Sequence, residues 1–294
     1  MTLIDVVNLF DTDAKCREML VRLRWPSGAK CPRCQSEVID LATAKQIFYC
    51  KDCDYQFTVT AGTIFNDSHL SLQKWFFATL LLCESRKGHS ANQMKRELGV
   101  SYKTAWYLCH RIRAAMKEAQ HQMLDGTVEI DETYVGGKRK RSDGSPRANK
   151  EIVIGIRQRN GHLRFLHAKD VKSDTLYKII HDNVSEDVDV IVTDDFASYP
   201  GAMGSNFKDK HRSINHSAGV YVVGDTHTNT VESAFSLLKR GIIGTWHRIS
   251  AKHLAAYLSE MQFRFNRRKS HTLFLDTLRH MVTAPVLTFE KLTG

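Results

Sequence analysis

The chain has 294 residues, 42% of them apolar and 25% charged, which is enough for two or three domains with cores of their own. Its longest apolar stretch, near Trp75 to Cys83, includes Thr79 and is too short to cross a bilayer, and Met1-Thr-Leu-Ile-Asp lacks the basic start of a secretory leader. A membrane role is therefore not expected, and the net charge of +10 points to an anionic partner, nucleic acid above all.

Residues 1–28 read as a helical segment with Leu9, Cys16, Leu20 and Leu23 among its apolar positions, ended by Pro26-Ser-Gly. Residues 29–62 hold two CxxC pairs, Cys31-Pro-Arg-Cys34 and Cys50-Lys-Asp-Cys53, with 15 residues between them. That spacing is the one expected of a zinc ribbon, in which two tight turns each present two thiolates to one tetrahedral Zn²⁺. Ile47-Phe-Tyr and Tyr55-Gln-Phe-Thr-Val-Thr read as its strands. The remaining cysteines, Cys16, Cys83 and Cys109, are scattered among apolar residues. They suit core packing in a reducing compartment, here the cytoplasm.

Residues 63–122 read as helical. Ser71 caps a helix with Leu72, Trp75, Phe76, Leu80 and Cys83 on its apolar face. Ser90 caps a short one with Ala91, Met94 and Leu98, Gly99 supplies a turn, and Ser101 caps a third with Ala105, Leu108 and Ile112 inward. Two helices joined by a glycine-containing turn make a helix-turn-helix. From Leu70 to Glu118 nine Lys/Arg face three Glu, a net of +6. The third helix is predicted to display Tyr102, Lys103, Tyr107, His110, Arg111 and Arg113 to a DNA groove.

After Asp125-Gly126 the pattern becomes mixed α/β, with residues 123–270 as one domain and 271–294 as a C-terminal tail. Strands are expected around Val128–Val135, Ile152–Ile156 and His162–His167, then a helix from Ser173, a fourth strand Val188–Thr193, and a fifth near Tyr221-Val-Val. A helix opens at Thr228 or Thr230, and another runs from about Lys252 to Asn266. Gly136 to Pro146 is a basic loop containing Lys138 and Arg139.

Three carboxylates sit at special places in this layout. Asp131 lies on the first strand, on the face opposite Val128 and Ile130. Asp194 ends the fourth strand, where open α/β sheets place ligands. Glu232 falls in the first turn of the late helix, with Asn229 three residues before it and Lys239 seven after it on the same face. Gathered carboxylates repel and need cations. Two Mg²⁺ ions would serve and would activate water for attack on phosphorus. Spacing alone leaves Glu129, Glu132 and Asp195 as competitors of their neighbours.

Glu129-Ile-Asp-Glu-Thr-Tyr-Val-Gly-Gly-Lys, Val192-Thr-Asp-Asp-Phe-Ala-Ser-Tyr and His227-Thr-Asn-Thr-Val-Glu-Ser-Ala-Phe-Ser-Leu-Leu-Lys-Arg-Gly resemble the motif blocks of bacterial insertion-sequence transposases. The group is the one with an N-terminal zinc ribbon and a DDE domain of ribonuclease H-like fold, and the resemblance covers about residues 15–270. It implies Asp131 and Asp194 as the first two catalytic acids. Either Glu232 or Asn229 fills the third position, with Glu232 favoured by Lys239 seven residues later. It further implies Mg²⁺ or Mn²⁺ at that site and a cut-and-paste reaction on double-stranded DNA. The terminal inverted repeats and target DNA are the substrates, and a homodimer or higher oligomer works on them at the nucleoid. A zinc-ribbon regulator without catalysis and a ribonuclease H-like nuclease without strand transfer are the rival readings.

Overall fold

The computed structural model describes residues 1–42, 46–118, 122–136, 150–214 and 227–294. It contains two compact units, one built from Met1–Lys117 together with Arg267–Gly294 and the other from Glu118–Asn266.

The first unit opens with two helices where one segment was expected. α1 (Leu3–Leu9) is closed by a Thr2–Asp5 capping box, and α2 (Asp13–Arg24) starts afresh because the Thr12 hydroxyl accepts from the Lys15 N–H. The break turns Phe10 inward against Phe76 and leaves Leu9 exposed, while Cys16 and Leu20 are buried as expected. The ribbon is a small antiparallel sheet of β1 (Ile39–Ala42), β2 (Ile47–Cys50) and β3 (Gln56–Phe57), in that order. Its core is little more than Phe48 stacked on Phe57 with the Trp25 ring edge-on to both. α3 (Leu72–Glu84), α4 (Ala91–Leu98) and α5 (Tyr102–Ala115) follow, each capped by the serine just before it. Gly99 ends α4 at φ +60°, a left-handed turn suited to glycine, and sets α5 across α4 as a helix-turn-helix. Residues 271–294, expected as a tail, carry α11 (Leu273–Thr283) and α12 (Phe289–Thr293). α11 packs on α2, α3 and α5 because its period-3.6 stripe of Phe274, Leu278, Met281 and Val282 is buried there.

The second unit is a five-stranded mixed sheet in the order β6-β5-β4-β7-β8. β4 (Thr127–Val135), β5 (Glu151–Gln158) and β6 (Leu163–Ala168) run antiparallel, and β7 (Val190–Asp194) and β8 (His211–Ile214) are parallel to β4. The fifth strand is thus His211–Ile214; Tyr221 and its neighbours lie outside the described residues. α6 (Ser173–His181) and α7 (Ser198–Ala202) cover one face over Val128, Ile130, Ile154 and Ile156. α9 (Asn229–Gly241) and α10 (Ala251–Asn266) cover the other over Val153, Leu163 and Phe165. A short helix, α8 (Gly204–Phe207), leads into β8. This sheet between two helical layers is the ribonuclease H-like mixed α/β domain expected, and the whole chain is the multidomain α+β and α/β protein foreseen.

Candidate active site and metal centre

Strand register builds the acidic site. β4 and β7 pair in parallel with Thr127 opposite Val190 and Glu129 opposite Val192. Continued two residues further, this register brings Asp131 level with Asp194, on the same sheet face. On its other side Asp131 pairs with Gly155 of β5. A Cβ at Gly155 would meet the Phe235 ring at 2.7 Å and Val231 at 2.8 Å, so glycine lets α9 lie directly on the sheet beside Asp131. The first turn of α9, with exposed Asn229 and Glu232, thereby lies over β4, where the Thr230 and Val231 N–H groups donate to Glu129.

Carboxylate oxygens of Asp131, Glu132 and Asp194 lie within 4.8 Å of one another. Burial, then the charge of Glu132, pushes the Asp131 carboxyl up to about 7, and Asp194 and Glu232 add to the effect. Glu132 sits on the opposite strand face, where the buried Tyr199 hydroxyl donates to it at 2.9 Å. The same burial and the same acids push the Tyr199 phenol well above its ordinary value. Asp194 accepts from the Phe196 N–H at 3.3 Å, and Asp195 turns outward and is exposed. The cluster is therefore Asp131 and Asp194 with Glu132 alongside. Glu232 stands outside the 4.8 Å group, close enough for its charge to act on Asp131. Such a set of hard oxygen donors, carrying excess negative charge in a half-buried place, fits a divalent cation.

Sequence reading left Glu129 and Glu132 as competitors of Asp131 and gave no role to Tyr199 or Gly155. The signals available were a glycine inside a strand and the shared parity of Glu129 with Asp131. The partners that give those residues meaning lie 24 to 102 positions away.

The four ribbon cysteines also cluster. All four sulfurs lie within 4.8 Å of one another, with Cys31 to Cys53 and Cys34 to Cys50 both at 3.6 Å. A tetrahedral ion about 2.3 Å from each sulfur needs separations near 3.8 Å, so the cluster fits a divalent metal.

The helix-turn-helix requires a correction. α5 offers Tyr102 and Lys103 to solvent, but Arg111 and Arg113 are buried. Arg111 donates to the Asn66 carbonyl at 2.5 Å and lies over the Trp75 ring at 5.1 Å, and burial lowers its pKa. Arg113 donates to the His89 carbonyl at 3.4 Å. Tyr107 is half-buried with its hydroxyl on the Leu287 carbonyl at 2.5 Å, and His110 is buried. The physical reason is coverage from two sides: the stretch from Asn66 to His89, with the Trp75 ring of α3, takes in Arg111 and Arg113, while Leu287 and, from α12, Phe289 meet Tyr107. Lys138 and Arg139 lie outside the described residues.

Comparison with known proteins bears on the whole chain. Residues 123–266 match the family described as the ISXO2-like transposase domain, and residues 11–56 match the transposase zinc-ribbon domain. A protein of the transposable element ISH50 of Halobacterium salinarum is 30% identical over 278 residues, covering 88% of this chain and 92% of the relative. The chain belongs to the ISXO2-like transposases. That relative is archaeal, so membership does not assign a bacterial source. Among solved structures, a chain of the pre-cleavage Mos1 transpososome aligns at 12% identity over 72% of this chain and 78% of its own, with a TM-score of 0.27. This is a distant likeness. Among the described residues no helix of the transposase is long and apolar enough to cross a membrane.

Proposed function

We propose that this transposase binds the terminal inverted repeats of its own element, cuts the phosphodiester there and joins the freed 3′-OH to target DNA. The observation that carries the reading is the register of β4 and β7, which sets Asp131 beside Asp194 while Gly155 lets α9 present Glu232 and Asn229 at the same end of the sheet. Asp131 and Asp194 hold the cation from the sheet. Glu232 supplies the third negative charge, with Asn229 as a neutral oxygen donor in the same turn. Mg²⁺ or Mn²⁺ bound there would supply Lewis-acid activation of water and of the scissile phosphate. Lys239, exposed near the far end of α9, and the basic loop with Lys138 and Arg139 hold DNA phosphates, contacts that add affinity without sequence information.

The ribbon cysteines Cys31, Cys34, Cys50 and Cys53 hold Zn²⁺ and stabilise the first unit. Repeat reading falls to the N-terminal end of α5, where helix-turn-helix proteins contact base edges, through Tyr102 and Lys103. The working form is a homodimer or higher oligomer, since two element ends are cut together, and it acts at the nucleoid. The test is cleavage and strand transfer of a labelled duplex carrying the repeat that flanks the gene, with Mg²⁺ or Mn²⁺ and with Ca²⁺ as the non-supporting control. Metal-independent binding without cleavage would favour a regulator, and cleavage without joining would favour a nuclease.

A further inference from the structure

The carboxylate of Glu129 is fully buried, and neither the cation nor the DNA contacts described above use it. Glutamate is almost never fully buried without partners, and here the partners gather at the start of α9. Oε2 accepts from the backbone N–H groups of Thr230 and Val231 at 2.9 and 3.1 Å and from the Thr230 hydroxyl at 2.7 Å. Oε1 accepts from Arg159 Nε at 2.7 Å and lies 3.2 Å from His227 Nδ1. Arg159 Nη2 also donates to the His227 carbonyl at 3.0 Å, so the residue preceding the helix is tied to the same network.

The first N–H groups of a helix normally turn to the side chain of its N-cap residue. In α9 that residue is Thr228, and its side chain makes no capping bond. Its hydroxyl is turned instead to Glu232 Oε1, to which it donates at 2.9 Å. A strand carboxylate has taken over the cap, and the cap residue holds the acid. The negative charge of Glu129 is matched by Arg159 and by the positive end of the helix.

We propose that Glu129 is a positioning residue. Capping α9 from β4, it sets the reach from Asp131, two residues further along the same strand face, to Glu232, one residue beyond the capped amides. The proposal rests on the reading of Glu232 as a metal ligand.

The test uses the full-length chain carrying Glu129→Gln or Thr228→Ala. Glutamine keeps the volume and one acceptor oxygen, but its NH₂ must face either Arg159 or the α9 amides. In the metal-free Glu129→Gln protein, amide hydrogen exchange at Thr230 and Val231 should quicken several-fold while the rest of the second unit keeps its protection. The Mn²⁺ concentration for half-maximal cleavage should rise roughly 10- to 100-fold, as for other residues that orient metal ligands, with repeat binding unchanged. Thr228→Ala should raise the Mn²⁺ requirement without changing exchange at the α9 amides. Unchanged exchange and unchanged Mn²⁺ requirement in Glu129→Gln would overturn the proposal, and so would loss of protection throughout the second unit. Parental cleavage by Glu232→Gln would overturn the ligand reading instead, and the exchange data would still report on the cap.

Discussion

The two candidate metal clusters of this transposase are built in opposite ways. The four ribbon sulfurs come from 23 consecutive residues, Cys31 to Cys53, over a core of three aromatic rings. The carboxylates of Asp131 and Asp194 are 63 residues apart, and their meeting depends on the pairing of two strands inside a five-stranded sheet with a buried cluster on each face. In the ribbon the ion stands in for a hydrophobic core. In the second unit the core is complete and assembles a charge arrangement that a cation or a proton on Asp131 relieves. The ribbon should therefore need its metal to fold, and the acidic site should need its metal to work.

The largest effect is expected at the ribbon. Structural zinc contributes about 10–16 kcal/mol in zinc-finger peptides, far more than three stacked rings provide. Cys34→Ser or Cys53→Ser should release the ion and unfold residues 28–62, read by elemental analysis and by proteolysis within the segment. A ribbon that keeps its protease resistance without zinc would break the contrast. Next in size, Asp131→Asn and Asp194→Asn should each slow end cleavage roughly a thousandfold, the equivalent of several kcal/mol of transition-state stabilisation. Neither change should lower the melting temperature or weaken repeat binding. If either variant unfolds the second unit, the acids are part of its scaffold and the distinction fails.

A smaller effect sharpens the comparison within the first unit. Arg111→Ala removes a buried guanidinium from the Asn66 carbonyl and the Trp75 ring and should cost about 2–4 kcal/mol of stability. Lys103→Ala should leave stability nearly unchanged. It should weaken repeat binding by about 1 kcal/mol and flatten its salt dependence. Equal loss of sequence preference in both variants would return Arg111 to the DNA surface. A separate effect concerns pH. The folded protein holds the Asp131 proton up to about 7, well above the ordinary carboxyl value of 3.8, so between those values the folded state binds more protons than the unfolded one. Stability of the metal-free second unit should then decline as pH rises from about 4 to about 7 and level off above. Thermal melts at pH 5 and 8 should show this in the parent, and the decline should shrink in Asp131→Asn. An identical decline in that variant would assign it to other groups.

Legibility in the sequence followed the same divide. The ribbon, the capping serines and the α4–α5 turn are local and could be read directly from Cys, Ser and Gly spacing. Strand parity and strand end singled out Asp131 and Asp194 but left Glu129, Glu132 and Asp195 in competition, and the choice between them came from the motif blocks. α5 was placed correctly as a helix, with Ala105, Leu108 and Ile112 buried as expected. Its opposite side was misread because Asn66, Trp75 and His89 take in Arg111 and Arg113, and Leu287, 180 positions from Tyr107, takes the Tyr107 hydroxyl. Glu129 could be read as an acid sharing the face of Asp131, but its capping role could not, since the amides it caps are 101 and 102 positions away.

The pairing of chain ends in the first unit has a consequence for the order of synthesis. Residues 267–294 supply α11 and α12, which brace α5 through the Leu287 carbonyl and the Phe289 ring. A chain emerging from the ribosome makes the helix-turn-helix early, yet it cannot brace α5 until the whole 118–266 unit has been translated. Domains fold as units once their residues are available, so the helix-turn-helix is finished last. A truncated product ending at residue 266 would contain both the cysteine and the carboxylate cluster and still lack the brace on α5.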